Sequence, residues 1–403
     1  SSGDETLFSP KMRRIIEWFA KISTPPDART GGFRHLPPIG NTWLFEPTGE
    51  FGIFATLWKE RDPQFAAEMQ WMWQQHRSAT YAGIGGSGHS TGGYRSVLYD
   101  ATLPAKAPAY GSELFPKTGV ILRSGFPTDR ETQLYLIAGT NHDHYDYDSG
   151  SITLWGKGRI VADDFGYFGQ APMHDHSMVE SPITGGIMQI ERFAPAPQAD
   201  YVRGVAGGWT RQILFIKDAD PLAPNYFIMA DSLKEPVAAT WRLWCTAQAV
   251  RLSPQQALIV GTEDVDTDLF FLQPPGMALT TEDYSVKTFG LGADGYPGMQ
   301  TLTQTGVIAT LPDGAAVSAV LYPRLKTEAA PRITALAGGK GVKVEHLRGT
   351  DYVFLAAAPF TYADGDTTFT GTAGVIQIRD GQATLILPAP GQLAADGQRM
   401  TKE

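Results

Sequence analysis

The sequence has little cysteine, no excess of basic charge and no long apolar run. Cys245 is the only cysteine among 403 residues, which excludes an internal disulfide and a zinc or iron–sulfur site built from cysteines. The 42 acidic residues outnumber the 33 basic ones, giving a net charge of −9, whereas nucleic acid or an anionic membrane would require a basic face. No apolar run approaches the roughly 20 residues that span a bilayer. These absences predict a globular protein that folds in water, with neither nucleic acid nor membrane as its partner.

Helical and extended patterns occupy different parts of the chain. Apolar residues recur at helical spacing in three stretches, residues 11–22, 51–60 and 64–76. From about residue 117 the period changes to two, in short β-branched and aromatic runs separated by Gly, Pro, Asp and Asn. GKGR at 156–159 and RDGQ at 379–382 predict hairpin turns. The sequence therefore predicts an α+β protein, with a helical segment over 1–112, a large antiparallel β-sandwich over 113–403 and a smaller C-terminal sheet from about residue 330.

Four of the eight histidines fall between residues 142 and 176, in two copies of one tripeptide. The copies are His142-Asp143-His144 and His174-Asp175-His176. On an extended strand, residues i and i+2 face the same side, so each tripeptide would present two imidazoles together, which is a chelating geometry. The alternative for each histidine alone is a surface side chain or a core histidine with satisfied hydrogen bonds.

Carboxylates accompany these histidines. Asp163 and Asp164 end a strand pattern, and Gly166 permits a tight turn immediately after them. Imidazole and carboxylate ligands without thiolate suit zinc or another first-row divalent ion, whereas calcium would need more oxygen ligands. The sequence predicts a metal site here, in which three protein ligands would leave one position for water or substrate.

Residues 138–169, with His176 after them, resemble the heparinase II/III-type polysaccharide lyases and their alginate and oligoalginate lyase relatives. The family pattern runs His-x-His-x-Asp, Gly-Ser, a strand with a Gly turn, Asp-x-Gly and a later His. The residues that fall on it in order are His142, His144, Asp146, Gly150, Ser151, Asp164, Gly166 and His176. The resemblance extends to GGFRHLPPIGNT at 31–42 and to paired strands that close on Asp231.

The resemblance implies a fold, a reaction and roles for particular residues. Residues 1–112 would be the last helices of an incomplete α/α toroid that forms a cleft with the β-sandwich. The reaction would be β-elimination on a uronic-acid-containing polysaccharide or oligosaccharide, by a periplasmic or secreted protein. His142 would face the cleft as base or proton partner, while His144, Asp164 and His176 would hold a zinc ion that orders the loop.

A tyrosine is the general acid that the resemblance implies. Four tyrosines are candidates: Tyr94, Tyr110, Tyr145 and Tyr147. The Gly-rich segment 83–95 lacks the Lys-Ser/Thr of a phosphate-binding loop, which favours a cleft rim over a nucleotide site. The candidate substrate-binding residues are Arg95, His89, Tyr94 and Tyr145, and Arg95 could meet a uronate carboxylate.

Several alternatives stay open at the level of sequence. Tyr147 and Asp148 resemble a two-residue insertion in the family pattern, so Asp164 is preferred over Asp163 only because it makes Asp-x-Gly. The chain could also be a non-catalytic carbohydrate-binding or structural β-sandwich with a stapling zinc, or a metal-dependent glycan hydrolase.

The helical segment carries more apolar surface than three helices are expected to cover. The apolar residues in question are Ile15, Ile16, Phe19, Trp71, Met72 and Trp73. An uncovered apolar stripe marks a docking surface. We therefore expect an additional helical polypeptide, from a second chain or a longer precursor, to complete the toroid. The first ten residues show no basic segment followed by an apolar one, so no signal peptide is expected within them.

Overall fold

The computed structural model of the chain describes residues 5–42, 44–45, 50–76, 99–139, 147–166, 174–291, 297–311 and 316–403. Within these ranges it contains three α-helices: α1 (Pro10–Ile22), α2 (Glu50–Trp58) and α3 (Pro63–Gln75). Two of them begin at capping residues: at α1 the Ser9 hydroxyl accepts a hydrogen bond from the Met12 amide, and at α3 the Asp62 carboxylate accepts one from the Phe65 amide. None of the described helices is long and apolar enough to span a bilayer.

The apolar stripes of the helices are mostly covered by the chain itself. Ile16 and Met72 are fully buried, and Phe19, Trp71 and Trp73 are partly buried within the described helical cluster. Only Ile15, with 38 % of its surface exposed, matches the expectation of an uncovered stripe. That expectation is wrong for Ile16 and Met72, because the helices pack on one another, and Trp71 packs on Phe126.

The first sheet has nine described strands, all paired antiparallel. They are β1 (Glu113–Phe115), β2 (Gly119–Ser124), β3 (Thr132–Ile137), β4 (Ile152–Gly156), β5 (Arg159–Ala162), β6 (Val179–Glu180), β11 (Ala239–Cys245), β15 (Leu279–Leu291) and β16 (Pro297–Leu311). Their order is β1-β2-β3-β4-β5-β11-β16-β15, and β6 pairs with β11. The carboxyl end of β5, where Asp163 and Asp164 follow, therefore lies beside β11 at the middle of the sheet.

The second and third sheets are also antiparallel. The second consists of β7 (Gln189–Ala194), β8 (Ala199–Ala206), β9 (Trp209–Ile216), β10 (Tyr226–Leu233), β12 (Ala249–Ser253), β13 (Gln256–Val260), β14 (Val265–Gln273) and β17 (Val317–Leu325), in the order β12-β13-β14-β17-β10-β9-β8-β7. The third consists of β18 (Arg332–Leu336), β19 (Gly341–His346), β20 (Gly349–Asp364), β21 (Thr367–Arg379), β22 (Gln382–Ile386), β23 (Gly391–Ala395) and β24 (Gln398–Lys402).

The second sheet lies between two hydrophobic cores. In β9, Ile213 and Phe215 belong to the core shared with the first sheet, whereas Leu214 and Ile216 belong to the core shared with the third. Side chains on both faces of this strand are thus buried, which explains why residues 213–216 are continuously apolar. The outer face of the first sheet is covered in part by α1, through Ile22 and its neighbours.

The predicted antiparallel β architecture and its turns are confirmed. In the β4–β5 turn, Lys157 and Gly158 have φ values of 47° and 78°; in the β21–β22 turn, Asp380 and Gly381 have φ values of 50° and 77°. Positive φ at both central residues is the type I′ geometry that matches strand twist. Three helices do not by themselves form a toroid, so that part of the expected architecture stays a prediction.

Candidate active site

Asp164 and His176 lie in contact at the carboxyl end of β5. The Asp164 Oδ2 and His176 Nδ1 atoms are 2.8 Å apart, and both side chains are buried. The other carboxylate oxygen of Asp164 accepts a hydrogen bond of 2.8 Å from the Gly166 amide, whose φ of 67° makes the turn. Burial alone would lower the pKa of His176, but the Asp164 carboxylate overrides it and raises that pKa to about 10. The pair is therefore a fixed, charge-coupled unit.

Asp163 has a different environment from its neighbour. Its carboxylate accepts a hydrogen bond of 2.7 Å from the Arg29 guanidinium, which also pairs with Asp27 at 2.8 Å. Burial raises the pKa of Asp163, and Arg29 opposes that rise. Because Asp163 is held by an arginine, Asp164 is the aspartate free to meet His176. The choice of Asp164 as a metal ligand stays a prediction.

The turn over residues 147–151 is tied to the loop after α1. Tyr147 is 54 % exposed, whereas the Asp148 carboxylate is buried and accepts a hydrogen bond of 2.5 Å from the Gly40 amide. Gly150 has a φ of 98°, and a Cβ atom there would lie 2.3 Å from the Trp209 ring. Of the two residues that resemble an insertion, Tyr147 is therefore exposed at the surface and Asp148 anchors the turn.

A buried arginine joins the two flanks of the candidate site. Arg211 Nη1 donates hydrogen bonds to the carbonyl oxygens of Gly150, at 2.7 Å, and Ser177, at 3.0 Å. Arg211 is itself held by Asp231, at 2.8 Å from Nε. The resemblance pointed to Asp231, but sequence reasoning missed Arg211, whose signal is a charged residue inside the apolar strand β9.

His174 and His176 have different partners. The His174 Nε2 atom lies 3.0 Å from the Glu282 carboxylate of β15, and its ring packs against Trp244 and Tyr284. The tripeptide occupies turns and bends and not a strand. The strand geometry from which a side-by-side imidazole pair was expected is therefore not present at this tripeptide.

Other candidate residues lie elsewhere or outside the described residues. Those outside are His142, His144, Tyr145, Asp146, His89, Tyr94 and Arg95. Tyr110 lies in the apolar helical cluster beside Phe126, where burial raises the pKa of its hydroxyl. Within the described ranges, no group of three or more His, Cys, Asp or Glu side chains is placed to hold a metal ion. Asp164 and His176 are two of the three predicted ligands, and His144 is the third.

The fold is shared with solved structures of glycan lyases. A heparan sulfate lyase mutant from Pedobacter heparinus matches with a TM-score of 0.57 and 13 % identity, and the match covers 93 % of this chain and 52 % of the lyase chain. A heparinase III with methylated lysines matches with a TM-score of 0.60 and 13 % identity, over 93 % and 51 %. Another heparinase III matches with a TM-score of 0.58 and 11 % identity, over 94 % and 55 %.

Sequence comparison alone finds no such relation, since no protein-family model and no curated protein matches the chain. The chain spans about half the length of the solved structures that it matches. At identities of 11–13 %, the likeness establishes the fold. The chain has the fold of the C-terminal portion of the heparinase-like polysaccharide lyases.

Proposed function

We propose that this chain is a polysaccharide lyase, or the C-terminal portion of one, that cleaves a uronic-acid-containing glycan by β-elimination. The observation that carries the proposal is the buried Asp164–His176 pair. It lies on a lyase fold, and its residues continue the segment that begins with the His-x-His-x-Asp pattern. Buried, charge-coupled groups of this kind are concentrated at functional sites.

The donor set at this position fits zinc or another first-row divalent ion. Asp164 Oδ2 and His176 Nδ1 are a carboxylate oxygen and an imidazole nitrogen 2.8 Å apart. Zinc bond lengths of about 2.0–2.1 Å place tetrahedral ligand atoms about 3.3 Å apart, so a small side-chain adjustment would admit an ion. We propose His144 as the third ligand. The bound ion would order the loop, and its binding would release the Nδ1 proton of His176.

The reaction needs three placed groups. The uronate carboxylate must be neutralised, a base must take the C5 proton, and an acid must protonate the departing C4 oxygen as the C5–H electrons form the C4=C5 double bond. We assign the base to His142. We assign the acid to a tyrosine, either Tyr94, Tyr145 or Tyr147 of this chain or one on a further helical polypeptide. The Arg211–Asp231 pair would hold the turns that flank these groups.

The further helical polypeptide belongs to the same proposal. The chain covers only 51–55 % of the solved lyases that it matches, and its described part has three helices. A cleft needs a second wall to position the acid opposite the base and to exclude water. We propose that a second chain or a longer precursor supplies this wall, and that the protein acts in the periplasm or outside the cell.

The test is to incubate the protein with a panel of uronate polymers and with a neutral glucan as the control. Lyase cleavage creates an unsaturated uronate that absorbs in the ultraviolet, so absorbance should rise with a uronate polymer and stay flat with the glucan. Shortening of a polymer without the chromophore would mean a hydrolase. Binding without shortening, in protein that contains the helical partner, would mean a non-catalytic module.

A further inference from the structure

A polar pocket lies between the second and third sheets, on the opposite side of the second sheet from the candidate active site. Its volume is about 300 Å³, which is at the small end of the range for ligand pockets. Arg211 and Gln212 are adjacent in β9 and therefore point to opposite faces. Arg211 reaches the candidate active site, whereas Gln212 lines the pocket.

Two arginines and a glutamine form a row along one wall of this pocket. Arg192 of β7 is directly opposite Arg203 of β8, which is directly opposite Gln212 of β9. Like charges directly opposite each other on neighbouring strands are destabilising. Arg203 has an ion pair with Glu191, but Arg192 has no acidic partner within the part of the chain that the structure describes. The wall therefore carries one uncompensated positive charge.

Gln212 presents a hydrogen-bond donor to the same space. Its side chain is 1 % exposed, and its Oε1 atom accepts a hydrogen bond of 2.7 Å from the Tyr201 hydroxyl. In this orientation of the amide, Nε2 is the remaining donor. Nε2 has no hydrogen-bond partner among the described residues. A buried donor without a partner is costly, and a bound acceptor would remove that cost.

The facing wall is formed by the third sheet and by the connection between β22 and β23, and it consists of small residues. The pairing of β20 with β21 is interrupted between Leu355 and Phe360, so Ala357 has no paired residue on β21. Ala357, Thr372, Ala389 and Pro390 line this side of the pocket. Because none of them has a long side chain, the space beside the arginines stays open, and Thr372 adds a hydroxyl that can donate or accept.

We propose that this pocket binds the carboxylate of an acidic sugar, as a glycan-binding site separate from the active site. The free guanidinium of Arg192 would pair with the carboxylate, and the Gln212 amide and the Thr372 hydroxyl would bind sugar oxygens. The choice of a sugar as the carrier of the carboxylate rests on the proposed function. The positive charge of Arg192 and the unpartnered donor of Gln212 are observed independently of the proposed function.

The experiment measures the binding of glucuronate and glucose to the protein by nuclear magnetic resonance titration. The two sugars differ in that one carries a carboxylate where the other carries a hydroxymethyl group. Glucuronate should bind at least about tenfold more tightly than glucose, as expected for a charge-assisted hydrogen bond. Arg192→Gln should weaken glucuronate binding at least about tenfold, and Ala357→Leu, which fills the pocket, should do the same.

Arg399→Gln is the matched control, because Arg399 is an exposed arginine of β24 that does not line the pocket. It should bind glucuronate as the unaltered protein does. Unchanged binding in both pocket variants would overturn the proposal, whatever the lyase assay shows. Equal affinity for inorganic sulfate and glucuronate would overturn the sugar site in favour of a general anion site. Specific glucuronate binding without lyase activity, in protein that contains the helical partner, would keep the pocket and reject the proposed function.

Discussion

Replacing Asp231 by Asn should destabilise the β-sandwich more than any exposed Asp→Asn change. The Asp231 carboxylate accepts hydrogen bonds from Trp209 Nε1 at 2.9 Å, Trp241 Nε1 at 2.9 Å and the Arg211 guanidinium at 2.8 and 3.1 Å. Asparagine keeps the volume but loses the charge, and its amide nitrogen cannot accept from these donors. Since breaking a buried ion pair from one side costs about 3–5 kcal/mol, we expect the free energy of unfolding to fall by that amount.

The assay is equilibrium unfolding in urea, followed by tryptophan fluorescence and circular dichroism. Asp283→Asn is the control, because Asp283 is exposed on β15 and accepts one hydrogen bond of 2.7 Å from Thr305. That variant should lose no more than about 1 kcal/mol. If Asp231→Asn also loses less than about 1 kcal/mol, the buried Asp231 carboxylate and its hydrogen bonds do not contribute to stability as described.

Two further predictions concern the metal and the response to acid. His144→Ala should lose both the bound metal and thermal stability, whereas His142→Ala should keep both and lose about 100-fold or more in turnover. Elemental analysis measures the metal, thermal unfolding measures the stability, and product absorbance measures the turnover. Equal effects of the two substitutions would contradict the separate roles of the two histidines. Burial would raise the pKa of Asp351, but the His346 hydrogen bond and the Arg379 ion pair lower it overall. The ionised Asp351 carboxylate therefore stabilises the folded protein at neutral pH, and this contribution is lost as pH falls below about 4. Between about pH 5 and pH 2.5, the free energy of unfolding should fall less for Asp351→Asn than for the unaltered protein, and parallel curves would contradict this.

The fold could be predicted where one physical signal dominates. The helical stripe of α1 and the short apolar runs of β2 and β3 indicate helix and strand directly, and Lys-Gly and Asp-Gly indicate the hairpin turns. The long ribbon of β15 and β16 was only partly visible. β15 carries threonines and charged residues such as Glu282 and Asp283 where an alternating apolar pattern would be expected. Its strand conformation depends on its pairing with β16.

The candidate site could be predicted only in part, because contacts between segments distant in sequence decide where its side chains lie. The Asp-x-Gly spacing pointed to Asp164, but its separation from Asp163 depends on Arg29, which is distant in sequence. His174 looked equivalent to His176, yet a local turn and the contact with Glu282 direct it elsewhere. Such pairings come from how distant segments pack, and no local pattern encodes them.

The central claim, cleavage by β-elimination, is tested most directly by the mass of the products formed in water enriched in ¹⁸O. Elimination breaks the C4–O bond without adding water, so each cleavage should give a product with a new terminal unsaturated uronate, one water molecule lighter than the hydrolysis product and without ¹⁸O from the cleavage. Products that carry ¹⁸O at the new end and have the mass of hydrolysis would contradict the account.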